Sequence, residues 1–300
     1  MSLIDSILAA SKTRLETRKR LQPLAELKAA AASAPRGATT LRAALRARTF
    51  SLIAEVKRKS PSAGTMDPPN VDAALDVYAR TASVAAISIL TDEDYFSGSI
   101  EDLRRARATT TKPLLRKDFI VDEYQIWEAR AAGADAVLLM AMLHEGAPDR
   151  LARLFAVAEE VGVDVLFELG MSSVEGQELR AAAPPETIWG INSRRFATSK
   201  LQLRSRVGRL LRTELSVDAR VHETLRPLVP SGSLAVAESG IHDPDALGGL
   251  FALSYNAALI GTAFLKVGVR VASEVRRFDD AVARVSGSKE NGKLEVDVVR

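Results

Sequence analysis

Short runs of aliphatic and β-branched residues alternate along this chain with longer stretches whose apolar residues recur at helical spacing. The short runs fall at 51–57, 85–90, 113–117, 136–140, 163–168, 187–192, 234–239 and 258–261, and each is read as a β-strand. Their C-terminal ends lie 22 to 33 residues apart, except for one interval of 47 between the sixth and the seventh. One strand plus one helix fills the ordinary interval, and the long one has room for an insertion. Helical patterns occupy the gaps: 71–81 after a Pro-Pro-Asn start, 122–132 with Asp122 as its N-cap, and 148–161 with Leu151, Leu154, Phe155 and Ala158 on one face. Eight strands alternating with helices imply an α/β protein with a parallel sheet, and this count and length favour closure into a (β/α)8 (TIM) barrel. A doubly wound open sheet is the alternative. The turn after the first strand, however, reads Lys-Arg-Lys-Ser-Pro-Ser and carries no dinucleotide fingerprint.

Residues 1–48 carry helical patterns at 3–18, 23–32 and 41–46, too few and too polar for an independent domain. They are expected to form an N-terminal helical extension packed on a catalytic barrel of residues 49–285. Residues 286–300 begin Gly/Ser/Lys/Glu-rich and are expected to be a frayed tail.

Active sites of such barrels form at the C-terminal ends of the strands, so polar residues there are informative. Alternation places Ile53, Glu55 and Lys57 on one face of the first strand, with Ala54 and Val56 on the other. Leu115 and Lys117 share a face of the third strand, and Leu166 and Glu168 a face of the fifth. Asn192 ends the sixth and Glu238-Ser239 the seventh. One such charge pair reads equally as a salt bridge closing the barrel. Five strand ends converging on one mouth point instead to a reactive pocket. Two lysines and three glutamates in a partly dry mouth shift one another's proton affinities and suit general acid–base chemistry. His144, His222 and His242 fall in loops or helices without a ligand set, so neither a metal site nor a Ser–His–Asp arrangement is expected. Glu238-Ser239-Gly240-Ile241 and Ile260-Gly261-Thr262-Ala263 put small residues after strands seven and eight, where backbone N–H groups can approach a phosphate. The same glycines also read as ordinary tight turns. Ser60, in the first loop, can add a hydroxyl.

Composition narrows the partners. With 47% hydrophobic and 26% charged residues in 300, the chain has apolar surface enough to fold. Its longest uninterrupted apolar run, 136–143, is far short of the ~20 residues of a spanning helix, so no membrane partner is expected. The absence of cysteine excludes disulfides, thiolate zinc sites and cysteine nucleophiles. A net charge of +3 and an aromatic content of 5% offer little to a nucleic acid and fit a small anionic ligand better. Asp5 lies in the first apolar stretch, ahead of the Arg/Lys cluster, which is the wrong order for a secretory signal; a cytoplasmic protein is expected.

The strand-end motifs resemble a known family. Ile53-Ala54-Glu55-Val56-Lys57-Arg58-Lys59-Ser60-Pro61-Ser62, Leu115-Arg116-Lys117-Asp118-Phe119, Gly190-Ile191-Asn192 and Glu238-Ser239-Gly240-Ile241 look like indole-3-glycerol-phosphate synthase of tryptophan biosynthesis. The resemblance runs in order from the N-terminal helices to the last helix, and the first two motifs together carry most of its specificity. It implies a cofactor-free, decarboxylating ring closure of 1-(2-carboxyphenylamino)-1-deoxyribulose 5-phosphate; apart from the resemblance, a monomer or weak homo-oligomer is expected. By resemblance, Lys117 is the general acid, Lys57 holds the substrate carboxylate and Glu168 is the acid/base of the dehydration. Glu55 and Asn192 orient substrate and lysines, and Ser239 completes the catalytic set. Ser60, Gly240, Gly261 and Thr262 would hold the phosphate, Phe96 and Phe119 would enclose the aryl ring, and Glu238 would line the pocket. How Lys57, Lys117 and Glu168 divide the dehydration proton transfers stays open.

A non-catalytic, metabolite-binding barrel would be expected to lack one of Lys57, Lys117 and Glu168, and all three are present. A phosphosugar isomerase or epimerase would need a different base and carboxylate arrangement. Departures from the family pattern sit beside the motifs: Leu169-Gly170 follows Glu168, Ser193 replaces an asparagine and Arg195 an acidic residue. The family pattern does not account for 198–212. From Arg194 to Arg212 there are seven basic residues and no acidic one, and Leu203, Val207, Leu210 and Leu211 recur at helical spacing. A short amphipathic helix is predicted there, at the same end of the barrel as the pocket.

Overall fold

The computed structural model describes residues 3–60, 63–171, 177–196, 215–218 and 220–290. Three helices, α1 (Leu3–Leu21), α2 (Leu24–Ser33) and α3 (Leu41–Arg46), precede the sheet. Its strands are β1 (Ser51–Val56), β2 (Val84–Leu90), β3 (Leu114–Lys117), β4 (Ala136–Met140), β5 (Asp164–Leu169), β6 (Ile188–Asn192), β7 (Ala235–Glu238) and β8 (Ala257–Ile260). Each is parallel to its chain neighbours, and β8 closes on β1. Closure leaves the sheet no open edge and overturns the doubly wound alternative. Every strand lies within one residue, at either end, of its sequence-predicted bounds.

The period-two alternation sorts each strand's side chains between two cores. Leu52, Ala54 and Val56 of β1 pack outward with Tyr78 and Phe264, whereas Ile53 packs inside the barrel with Leu115, Leu166 and Val236. The outer layer comprises α4 (Pro68–Arg80), α5 (Ile100–Thr109), α6 (Glu123–Ala131), α7 (Pro148–Val161), α8 (Gln177–Ala181), α9 (Arg220–Leu225), α10 (Ala246–Ala252), α11 (Thr262–Leu265) and α12 (Val271–Glu290). Asp122 caps α6 as predicted, within a capping box completed by Gln125.

The N-terminal helices hold both ends of the barrel. Leu41, Ala44 and Leu45 of α3 join the interior cluster, and the adjoining backbone is pinned to the N-terminal ends of β4 and β5. There the Gly37 amide donates to Asp135 Oδ1 at 2.8 Å and the Arg42 amide to Asp164 Oδ2 at 2.7 Å. At the opposite end α1 crosses the loops after β2 and β3. Arg14 pairs with Asp92 and Asp94, Arg18 Nε lies 2.8 Å from Glu128 Oε1, and Lys19 Nζ lies 2.7 Å from Asp122 Oδ2.

Two short antiparallel ribbons, invisible to a periodicity argument, sit at the mouth: Lys59–Ser60 with Gly64–Thr65, and Arg194–Phe196 with Leu215–Val217. The frayed tail expected from 286 is corrected at its start, because α12 runs on to Glu290 with no proline to stop it. Residues 291–300 and the amphipathic helix predicted within 198–212 lie outside the described residues.

Candidate active site

The C-terminal end of the barrel opens into a cavity of about 320 Å³. Its charged floor follows from how small barrels fill. Interior side chains stack in layers of four contributed by alternate strands, and those layers are ordinarily apolar. Here the odd-numbered strands supply Glu55 from β1, Lys117 from β3, Glu168 from β5 and Glu238 from β7. Lys117 Nζ lies 3.1 Å from Glu168 Oε2 and 3.3 Å from Glu238 Oε2. Just above, Lys57 Nζ donates to Glu55 Oε1 at 2.7 Å. Four ionisable side chains and Lys57 thus replace one greasy layer, all of them buried except the half-buried Lys117.

Room for these carboxylates is made by glycine. A Cβ at Gly190, on β6, would collide with Glu238 Oε1, and one at Gly261 would lie 2.6 Å from Glu55 Oε1. Gly261 is thus needed beneath Glu55, a role that its reading as a phosphate-turn residue did not include.

Burial alone would pull the Lys117 ammonium down, but the charges of Glu168, Glu238 and Glu55 outweigh it and hold its pKa well above the ordinary lysine range. Glu55 is shifted the other way. Burial opposes its ionisation, yet Lys57 and Lys117 keep its pKa below the usual carboxylate value. Glu238 is pushed up to about 8, first by burial and then by the neighbouring Glu168, with Lys117 pulling against both. The floor therefore holds a lysine that keeps its proton beside a carboxyl, Glu238, whose pKa is raised.

Glu55, Lys57, Lys117, Glu168, Asn192, Glu238, Ser239, Gly240, Gly261 and Thr262 all line the cavity, as do Phe96 and Phe119. The two rings lie 6.3 Å apart with planes tilted by 40°, forming one apolar wall with Leu90, Leu138 and Met140. Across from it, Ser239 (φ +65°) and Gly240 (φ +74°) are consecutive left-handed residues. Such a turn directs successive backbone N–H groups to one side and suits an anion. Asn192 Oδ1 accepts from the Arg194 amide at 2.9 Å, which leaves the side-chain NH2 as its donor end. Ser60 is not brought in. It is buried in the first ribbon opposite Gly64 and lies outside the cavity lining.

Sequence reasoning missed three polar lining residues: Asp118, Arg194 and His242. Asp118 turns its carboxylate away, to Arg116, Thr91 and the Phe119 amide. Arg194 lies in a basic run past the end of β6, in the ribbon strand, where the alternation of β6 no longer applies. Burial lowers its pKa against the pull of Glu55 and Glu168. His242 sits on the rim, its pKa lowered by partial desolvation and by Lys266, Lys57 and Arg194. Among the described residues, no three His, Asp or Glu side chains stand together as a metal-ligand set.

A family model described as indole-3-glycerol phosphate synthase matches residues 4–278. The indole-3-glycerol phosphate synthase of Paenarthrobacter aurescens (strain TC1) is 37% identical over 274 residues, covering 88% of this chain and 91% of that protein. The protein of the same name from Nocardioides sp. (strain ATCC BAA-499 / JS614) is 38% identical over 270 residues, covering 89% and 95%. Among solved structures, 3-hexulose-6-phosphate synthase from Salmonella typhimurium shares the fold with a TM-score of 0.55 at 13% identity, covering 79% of this chain and all of that one. A closed barrel with this charged floor and a family match over nearly its whole length leads to one conclusion: the chain belongs to the indole-3-glycerol phosphate synthase family.

Proposed function

We propose that this chain converts 1-(2-carboxyphenylamino)-1-deoxyribulose 5-phosphate into indole-3-glycerol phosphate, CO2 and water. The observation that carries the reading is the Lys117 ammonium held between Glu168 and Glu238 at the floor of a cavity with one aromatic wall. In ring closure the aryl carbon bearing the carboxylate attacks the ribulose carbonyl, and negative charge develops on that oxygen. Lys117, kept protonated by its carboxylate neighbours, stabilises the charge and delivers a proton. Loss of CO2 then restores the aromatic ring. A carboxylate leaves more readily once it is out of water, and Lys57 positions it there, one ammonium proton being engaged by Glu55. Expulsion of the new hydroxyl as water and loss of the adjacent proton complete the indole, with Glu168 as the acid/base. Phe96 and Phe119 enclose the aryl ring, the Asn192 amide orients the substrate, and Ser239, Gly240, Gly261 and Thr262 receive the phosphate.

No helix among the described residues is long and apolar enough to cross a membrane. We place the protein in the cytoplasm, as a monomer or weak homo-oligomer, in keeping with biosynthetic work on a small phosphorylated substrate. The test is to incubate the protein with that ribulose phosphate and follow indole fluorescence. A rise that disappears in Lys117→Met supports the reading, and no rise with the parent protein overturns it.

A further inference from the structure

The turn carrying Glu238 and Ser239 is held from behind by residues that do not touch the cavity. The Glu238 backbone carbonyl accepts from the Ser193 amide at 3.0 Å and lies 3.1 Å from His222 Nε2, on α9. A carbonyl can only accept, so Nε2 carries the hydrogen and the tautomer is defined. One residue on, the Ser239 carbonyl accepts from Ser193 Oγ at 2.9 Å. Both His222 and Ser193 are buried, and Tyr255 Oη donates to the His222 carbonyl at 2.8 Å, fixing the helix that presents the ring.

We propose that His222 and Ser193 are positioning residues that set the Glu238–Ser239–Gly240 turn, and through it the aim of Glu238 and the anion-facing wall of the cavity. Two features of the turn call for such a hold. Ser239 is a non-glycine residue at φ +65°, a conformation that persists only when its surroundings over-determine it, and the carbonyls on either side of its strained φ,ψ pair are the ones held. The Glu238 carboxyl is buried in the cavity floor, with Lys117 Nζ 3.3 Å from its Oε2. Its reach to that lysine starts from the backbone of the turn, so a shift of the turn moves the carboxyl with it. A histidine that merely filled the core would need no donor at that point. Here the donor meets the backbone carbonyl of a cavity residue, and Ser193 grips the next one.

The inference rests on the reading of this cavity as the ring-closing site, so its test includes a measurement independent of turnover. His222→Leu removes the donor, His222→Gln restores an N–H near the same place, and Ser193→Ala removes the hydroxyl. Steady-state kinetics and calorimetric titration with inorganic phosphate are compared at a temperature where each variant is folded by circular dichroism. For His222→Leu and Ser193→Ala, KM and the phosphate Kd are expected to rise by about ten-fold, with His222→Gln within about three-fold of the parent. Parent values in His222→Leu, or equal damage in His222→Gln and His222→Leu, would overturn the proposal. Should His222→Leu not fold, Ser193→Ala decides, and an unchanged phosphate Kd there overturns it. If the parent binds phosphate but closes no ring, the functional reading falls and the phosphate titrations still judge the turn.

Discussion

At the scale of single residues, the floor of the cavity is decided by which groups hold protons. Lys117 is the only lysine on β3, and Lys117→Met is expected to cut kcat/KM by far more than ten-fold, a loss well above ~1.4 kcal/mol of transition-state stabilisation, while the fold survives. A variant retaining a tenth of parent turnover would remove Lys117 from the general-acid role. Glu168→Gln is nearly isosteric and deletes only proton exchange, so kcat should fall steeply with KM little changed. A raised KM at parent kcat would make Glu168 a binding group instead. Glu238 offers a pH signature. Its pKa is raised to about 8 in the folded protein against an ordinary 4.5. The folded state therefore binds the extra proton between those values, and this group's contribution to stability is lost as pH rises through the window. Glu238→Gln never ionises, so its Tm relative to the parent should climb from pH 5 to pH 9. Superimposable Tm–pH curves would mean that Glu238 titrates normally.

At the scale of elements, the barrel's opposite end is tied by one lysine. Lys112 Nζ donates to the carbonyls of Tyr78, Thr81 and Val84 at 2.9, 2.6 and 2.7 Å, gathering the end of α4 and the start of β2. These carbonyls would otherwise be left at a helix terminus and a strand start without a protein donor. Lys112→Met keeps the stem and removes the donors, and should destabilise the protein by about 1–3 kcal/mol. Because the tie is on the face away from the cavity, kcat and KM at 25 °C should not change. A Tm equal to the parent's would show that water serves these carbonyls as well. The contrast with α9 is instructive: both elements use side-chain donors to backbone carbonyls, but only α9 reaches the turn that lines the site.

At the scale of the whole molecule, net charge is a modest +3, yet the basic run from Arg194 to Arg212 is concentrated. Its ends are placed: Arg194–Phe196 and Leu215–Val217 pair as a ribbon directly after β6, at the mouth. The intervening residues 197–214 lie outside the described residues. A substrate bearing a carboxylate and a phosphate should be drawn to such a run, with the attraction screened beyond ~10 Å at 0.1 M salt. Replacing Lys200, Arg204, Arg206 and Arg209 with glutamine is expected to lower kcat/KM at low ionic strength, with the difference closing as salt rises. Parallel salt curves would sink the steering idea.

What the sequence determined by itself is the part that local rules govern. Strand number and bounds follow from hydrophobic runs. The inward face of Glu55, Lys117 and Glu168 follows from period-two alternation, a property of each strand alone. Phe96 and Phe119 came from the family resemblance, not from any pattern. Tertiary structure decided who meets whom. Lys117, Glu168 and Glu238 stand 51 and 70 residues apart in the chain, and only closure of the barrel brings alternate strands into one layer. Gly190 beneath Glu238, Gly261 beneath Glu55, and the grip of His222 and Ser193 on the β7 turn depend on side chains from different elements meeting at a few ångströms. Ser60 and Arg194 show the same limit from opposite sides. The serine lies in a two-residue ribbon and outside the cavity lining, whereas the arginine lies in a three-residue ribbon and lines it. Pairings so short leave no periodic trace in the residues that make them.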